Sequence, residues 1–165
     1  MYIEKFRILE NPRALDDVCR GMAKVVKNEN VDLVLGAAIG GILISGGVGR
    51  HLGVKHIFCE RVNRIMKLRR GFSITKRQRI VIVEDIITTG GSVMELIELA
   101  GEQGAEIMHV VNLVDRSSGD VDFVVPSTAL LTIPSESWEP ENCHLCKQRI
   151  AITQRGCTGK KMETV

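Results

Sequence analysis

The chain has 165 residues, 44% of them hydrophobic and 25% charged, with a formal net charge of +2. That is the make-up of one globular domain able to hide roughly 70% of its unfolded surface, and it excludes a disordered tail protein or a disulfide-dense mini-scaffold. Apolar stretches well short of the ~20 residues of a membrane span, no apolar leader after Met1, five cysteines and an aromatic content of 4% predict a reduced, cytoplasmic protein with neither a membrane anchor nor a base-stacking nucleic-acid platform.

Asn11-Pro12 reads as an N-cap followed by a first-turn proline, and Leu15, Val18, Met22 and Val25 or Val26 then recur at helical spacing, which predicts a helix over 11–28. A buried strand is expected at Val31–Leu35, stopped by Gly36. Gly40–Leu52 reads as a helix although Gly46, Gly47 and Gly49 each cost up to ~1 kcal/mol relative to Ala, so close backbone packing is expected there. Strands follow at Lys55–Cys59 and Arg79–Val83. In the next helix Val93, Leu96, Ile97 and Ala100 share one face, Glu95, Glu98 and Glu102 face away, and Gly104 terminates it. Ile107–Val114, Val121–Val125 and Ala129–Ile133 complete the strands. Apolar strands alternating with helices predict an α/β fold, an open parallel Rossmann-like sheet with helices on both faces. Residues 1–135 are read as the core and 136–165 as an irregular C-terminal segment of the same domain.

Ligands of such sheets gather at the carboxyl ends of the strands. The informative string is Val83-Glu84-Asp85-Ile86-Ile87-Thr88-Thr89-Gly90-Gly91-Ser92. Gly90 and Gly91 let the backbone curl its N–H groups inward, the next helix adds its positive end, and the hydroxyls of Thr88, Thr89 and Ser92 add donors, which together make a phosphate cradle. No Walker lysine or Gly-x-Gly-x-x-Gly accompanies it. Two adjacent acids before the cradle suit a sugar phosphate, whose neighbouring hydroxyls can each donate to a carboxylate; a plain acidic cap on the helix start is the simpler alternative.

The string resembles the 5-phosphoribosyl 1-diphosphate signature of type I phosphoribosyltransferases. Met1–Pro12, Gly36–Gly41, Lys67-Leu-Arg-Arg-Gly-Phe72, Val114-Asp-Arg-Ser117 and Cys143-His-Leu-Cys-Lys147 extend the likeness to orotate phosphoribosyltransferases of bacteria and archaea. The resemblance implies Mg²⁺-dependent transfer of ribose 5-phosphate from its diphosphate donor to orotate, with release of pyrophosphate, in pyrimidine biosynthesis. On that basis Glu84 and Asp85 hold the ribose hydroxyls, with Mg²⁺ near them on the diphosphate and ribose. Residues 86–92, from Ile86 and Ile87 through Ser92, wrap the 5-phosphate. Gly36–Gly41 receives the pyrophosphate through Ala38, Ile39 and Gly40, with a cis peptide bond expected at Ala38-Ile39.

Eight basic residues and no acid lie between Arg61 and Arg79. The resemblance makes this a flexible basic hairpin loop that closes over pyrophosphate across a homodimer interface, with Arg61 and Lys67 foremost and Arg64 and Arg69 behind. A solvated basic hairpin and a nucleic-acid patch are the alternatives. The family's Lys-x-x-Lys-x-His spacing is absent here. Arg116 is expected to grip the orotate carboxylate with two hydrogen bonds, and Thr88 to touch the base. Family members carry an N-terminal hood over the base, which this chain is expected to lack; another acceptor base, or a donor-binding regulator without turnover, therefore stands beside the orotate reading. Cys143 and Cys146 have the spacing of half a zinc knuckle, with His144 or Cys157 as a third ligand, and a packing or thiol pair is preferred. Cys19 and Cys59 read as core, and His51, His56 and His109 as structural. The ending Gln154–Lys160 departs from its relatives and no role is assigned to it.

Overall fold

The computed structural model describes residues 3–117, 119–133 and 141–148. Glu4–Ser135 forms one compact unit, and Met1–Ile3 with Glu136–Val165 forms a second. In the first, the helices are α1 (Phe6–Leu9), α2 (Pro12–Val25), α3 (Gly40–Leu52) and α4 (Gly91–Glu102). Its strands are β1 (Leu33–Ala37), β2 (Lys55–Val62), β3 (Ile65–Leu68), β4 (Arg79–Ile87), β5 (Glu106–Asp115) and β6 (Ser127–Thr132). The described part of the second unit holds a short helix, α5 (His144–Lys147).

The six strands form one sheet in the order β3-β2-β1-β4-β5-β6. Every pairing is parallel except β2–β3, so the expected open parallel α/β sheet is present, with one antiparallel hairpin at its edge. The reason is the connection: Asn63 and Arg64 both take positive φ, 52° and 67°, and a two-residue turn of that kind forces an antiparallel hairpin. The basic segment therefore begins as a hairpin, and β2 runs to Val62 rather than ending at Cys59.

Side chains alternate across the pleat. Leu33, Leu35, Ile80 and Ile82 form one core with Val93, Leu96 and Ala100 of α4. Val34, Val81 and Val83, the alternate residues, are fully buried on the face where α3 and α2 lie. Close approach on that face explains the glycines: a Cβ on Gly47 would sit 2.3 Å from Cys19 Sγ. Cys19 and Cys59 are core residues as expected, and burial raises both thiols to about 11. The α2 start also follows the sequence: Asn11 Oδ1 accepts from the N–H groups of Arg13 and Ala14, each at 3.1 Å, with Pro12 in the first turn.

Two expectations fail for local reasons. Val31–Leu35 becomes β1 at Leu33–Ala37 because Asp32 is diverted to Arg79, while Gly36 pairs with Phe58 and Val83 inside the sheet. Val121–Val125 is no strand: Val124 takes φ +60° and its N–H donates to Asp122 Oδ1 at 2.8 Å, a side-chain turn that replaces a ladder. α1 is a single turn of four residues, too short to show an apolar period in the sequence. His109 is structural as expected, buried between Glu29 Oε1 at 2.8 Å and Thr128 Oγ1 at 2.9 Å.

Asp32 ties the start of β1 to that of β4. Its carboxylate accepts from Arg79 Nε at 2.9 Å, Nη2 at 2.7 Å and backbone N at 3.0 Å. The Arg79 hydrogen bonds hold the Asp32 carboxyl down at about 2. A carboxylate lowered on folding adds stability above its unfolded value, near 3.8, and loses it as pH falls through the folded one. Asp32→Asn should therefore melt below the parent at pH 7, and the gap should close between pH 4 and pH 2. A gap that stays constant over that range in thermal denaturation rejects the assignment.

Candidate active site

β4 continues through Ile87, four residues past its expected end, because Glu84 pairs with Asn112 and Ile87 with Asp115 on β5. Both acids are thus strand residues, and alternation sends them apart. Asp85, 2% exposed, lies on the α3 side: a Cβ on Gly40 would stand 1.7 Å from its Oδ2. Glu84, 8% exposed, lines a pocket with Ile86, Ile87 and the turn from Thr88 to Val93.

Two helices start beside these acids, and among the described residues neither is capped by a side chain. α4 follows Gly90, whose φ of +73° suits glycine and whose missing Cβ leaves room for Val121 and Phe123. α3 follows Ile39, itself next to the cis Ala38-Ile39 bond the resemblance implied. The first N–H groups of any helix lack intrahelical partners. Asn11 satisfies those of α2; no side chain among the described residues does so at α3 or α4. Two helix starts bearing partial positive charge therefore flank the carboxylates, and each is suited to an anion. Gly36 and Gly41 hold the first in place, since a Cβ on Gly36 would meet Gly41 O at 2.4 Å.

The electrostatics of the pair are uneven. Burial pushes the Glu84 carboxyl up to about 8, and the neighbouring Asp85 charge adds to the rise. Glu84 Oε1 accepts from the Asp85 N–H at 2.9 Å. Asp85 Oδ1 accepts from the Ile86 N–H at 2.7 Å, whereas Oδ2 is buried without an aligned hydrogen bond and is met only by the Lys5 ammonium at 2.7 Å among the described residues.

The basic hairpin divides. Arg61 grips Glu95 of α4 with Nη2–Oε1 at 2.7 Å and Nη1–Oε2 at 2.8 Å, and donates to Ser92 Oγ at 3.3 Å, so it reaches the phosphate turn. Arg64 lines a groove with Glu95, Glu98 and Glu102. Lys67 stands exposed opposite Glu60 in the β2–β3 register. Arg69 approaches Glu60 at 3.6 Å, and Arg70 bonds it at 2.6 Å. The charges of Arg69 and Arg70 are thus drawn to Glu60 rather than to the turn. Thr88 and Thr89 are exposed at the mouth of the turn, and Arg116 is brought beside it by its N–H bond to Ile87 O at 2.8 Å.

Three residues escaped the sequence reading. Lys5 and Glu95 had no signal beyond their charge. Asn112 did have one: it is a polar residue inside an apolar run, and it is buried beside Glu84 with Nδ2 unpartnered among the described residues. No group of three or more potential metal ligands occurs among the described residues. For the suggested zinc half-site, the Cys146 side chain and Cys157 lie outside them, as does the ending Gln154–Lys160. No helix among the described residues is long and apolar enough to cross a membrane.

A phosphoribosyl transferase domain model matches residues 6–140, in accord with a strand-borne acid pair between two open helix starts. Solved structures share the fold. An adenine phosphoribosyltransferase from Thermoanaerobacter pseudethanolicus aligns with TM-score 0.66 at 18% identity, covering 76% of this chain and 84% of that one. An adenine phosphoribosyl transferase from Trypanosoma brucei, in complex with AMP, pyrophosphate and ribose-5-phosphate, aligns at 0.67 and 21% identity over 94% and 76%. In sequence the chain is 43% identical to the orotate phosphoribosyltransferase of Thermotoga maritima over 97% of its own length and 86% of that protein's. It is 41% identical to that of Caldicellulosiruptor bescii over 96% and 84%. The chain belongs to the orotate phosphoribosyltransferase family.

Proposed function

We infer that the protein transfers ribose 5-phosphate from 5-phosphoribosyl 1-diphosphate to a ring nitrogen of orotate, giving orotidine 5′-phosphate and pyrophosphate for pyrimidine synthesis. The observation that carries this reading is the buried Glu84–Asp85 pair set between two uncapped helix starts. One donor molecule has an anion at each end and hydroxyls between, and the site offers the complement of that pattern. The orotate acceptor rests on the sequence relatives.

The 5-phosphate sits on the α4 start, wrapped by Ile86 to Ser92, and the pyrophosphate on Ala38, Ile39 and Gly40 at the α3 start. Asp85 Oδ2, without an aligned donor among the described residues, accepts from a ribose hydroxyl, and Glu84 takes the neighbouring one. Departure of pyrophosphate leaves cationic character on the ribose carbon, so fixed negative charge from Asp85 lowers the barrier by electrostatics and positioning. Arg61 adds a cation at the turn, while Arg64, Lys67 and Arg69 close over pyrophosphate, acting across a homodimer interface. Arg116 takes the orotate carboxylate and Thr88 the base edge.

Mg²⁺ takes oxygen ligands and keeps several waters. A carboxylate pair fits it: Glu84 and Asp85 would lie beside the ion, and the diphosphate and ribose would supply its other oxygens. When bound it neutralises charge on the leaving pyrophosphate. The setting is the cytoplasm.

The test is pyrophosphate release by purified protein with Mg²⁺ and donor, adding orotate, uracil, adenine or guanine separately. Release with orotate alone is expected. Release with another base instead reassigns the acceptor, and calorimetric donor binding without release from any base makes the protein a donor-binding regulator.

A further inference from the structure

We propose that Lys5 is a positioning residue of the active site, its ammonium holding the Asp85 carboxylate against Gly40 and balancing the charge of the buried acid pair. This rests on the reading of Asp85 as a ribose-holding carboxylate. Lys5 lies just before α1, 80 positions upstream of Asp85 in the chain, and Nζ reaches Oδ2 at 2.7 Å. The Lys5 side chain is 29% exposed and that of Asp85 only 3%, so the pair is weakly screened from one side.

Three observations make this more than an incidental ion pair. First, a cation at a helix start opposes the helix dipole, and Lys5 occupies the N-cap position of α1 without a side-chain cap bond. Its placement does nothing for its own helix. Second, Oδ2 has no aligned hydrogen-bond donor among the described residues; a buried carboxylate oxygen so placed requires a neighbouring positive charge. Third, the Phe6 ring lies 5.6 Å from the ammonium, so aromatic and carboxylate groups constrain it together. Around the acid pair the facing groups are Lys5 from the α1 side, Gly40 from α3 and Asn112 from β5, with Lys5 the cation among them.

The geometry gives Lys5 two effects. It pins Oδ2 at the junction of the ribose-holding and pyrophosphate-receiving segments, and it lets two adjacent acids stay buried with one compensating charge. Its side chain need not touch substrate for either.

The experiment compares Lys5→Met, which keeps the stem and deletes the charge, with Lys5→Arg, which restores charge. The side-chain carboxyl resonance of Asp85 in protein carrying ¹³C-labelled aspartate, assigned by its loss in Asp85→Asn, is followed at fixed pH. It should move in Lys5→Met and return toward the parent position in Lys5→Arg. In pyrophosphate-release assays kcat should fall about tenfold or more in Lys5→Met, with orotate KM little changed, and recover in Lys5→Arg. Should Lys5→Met not fold, Lys5→Gln takes its place in both measurements. An unmoved resonance, or kcat within twofold of the parent, overturns the proposal. Activity lost equally in both variants with the resonance in place also overturns it, since that is the pattern of a structural residue. If the resonance responds as expected but the parent releases no pyrophosphate with orotate, the coupling of Lys5 to Asp85 stands and the transferase reading fails.

Discussion

Asp85→Asn should cut turnover by about 10³-fold while leaving the protein folded. The substitution is isosteric, and an amide oxygen at Oδ1 can still accept the Ile86 N–H that the carboxylate accepts at 2.7 Å. Lys5, with 29% of its side chain exposed, can turn toward water when its partner loses charge. The fold therefore loses one half-screened ion pair, whereas the reaction loses the fixed negative charge beside the ribose carbon. Glu84 does not replace it, because strand alternation turns that side chain to the other face of β4, toward the pocket at the turn. Pyrophosphate release measured beside circular dichroism and melting temperature separates the two effects. Turnover within threefold of the parent would reject the assigned role.

Gly40→Ala should be nearly as damaging through a different route. The new Cβ would lie 1.7 Å from Asp85 Oδ2 and 2.8 Å from its Cγ, closer than any two such atoms can stand. Helix α3 cannot back away freely, since its first turn is locked to β1 where Gly36 meets Gly41. The Asp85 side chain must move instead. A shift of about 1 Å in a reacting group costs on the order of 10²-fold in rate, and overpacking costs about 1–3 kcal/mol of stability. Gly101→Ala is the control, because a Cβ on that α4 residue meets nothing within 4 Å. A Gly40→Ala enzyme with parental kcat/KM would show that Asp85 does not need its place against the α3 start.

The limits of the sequence reading fall along one line. Features that depend on neighbours in the chain were legible. Asn11 and Pro12 announced the α2 start, Gly40–Leu52 was read to its observed bounds, and the Glu84–Ser92 string named the turn that lines the pocket. Cap preferences, glycine at a positive φ and apolar periodicity all act within a few residues, so they survive in the linear order. The ends of strands were less legible. β4 runs past Val83 because β5 supplies partners for Glu84 through Ile87, and Val121–Val125 fails as a strand because Asp122 and Val124 close a turn instead. A strand exists only where another strand pairs with it, and that partner lies elsewhere in the chain.

The amino-acid sequence by itself determined the α/β class, the family and the two segments that build the site. Which cations and acids meet there was decided by tertiary structure alone. Lys5 reaches Asp85 across 80 positions, Arg61 finds Glu95 of α4, and Arg69 and Arg70 gather about Glu60. Charge carries no directional period along a chain; its partner is set by how the sheet orders its strands and by which helix start each strand end faces.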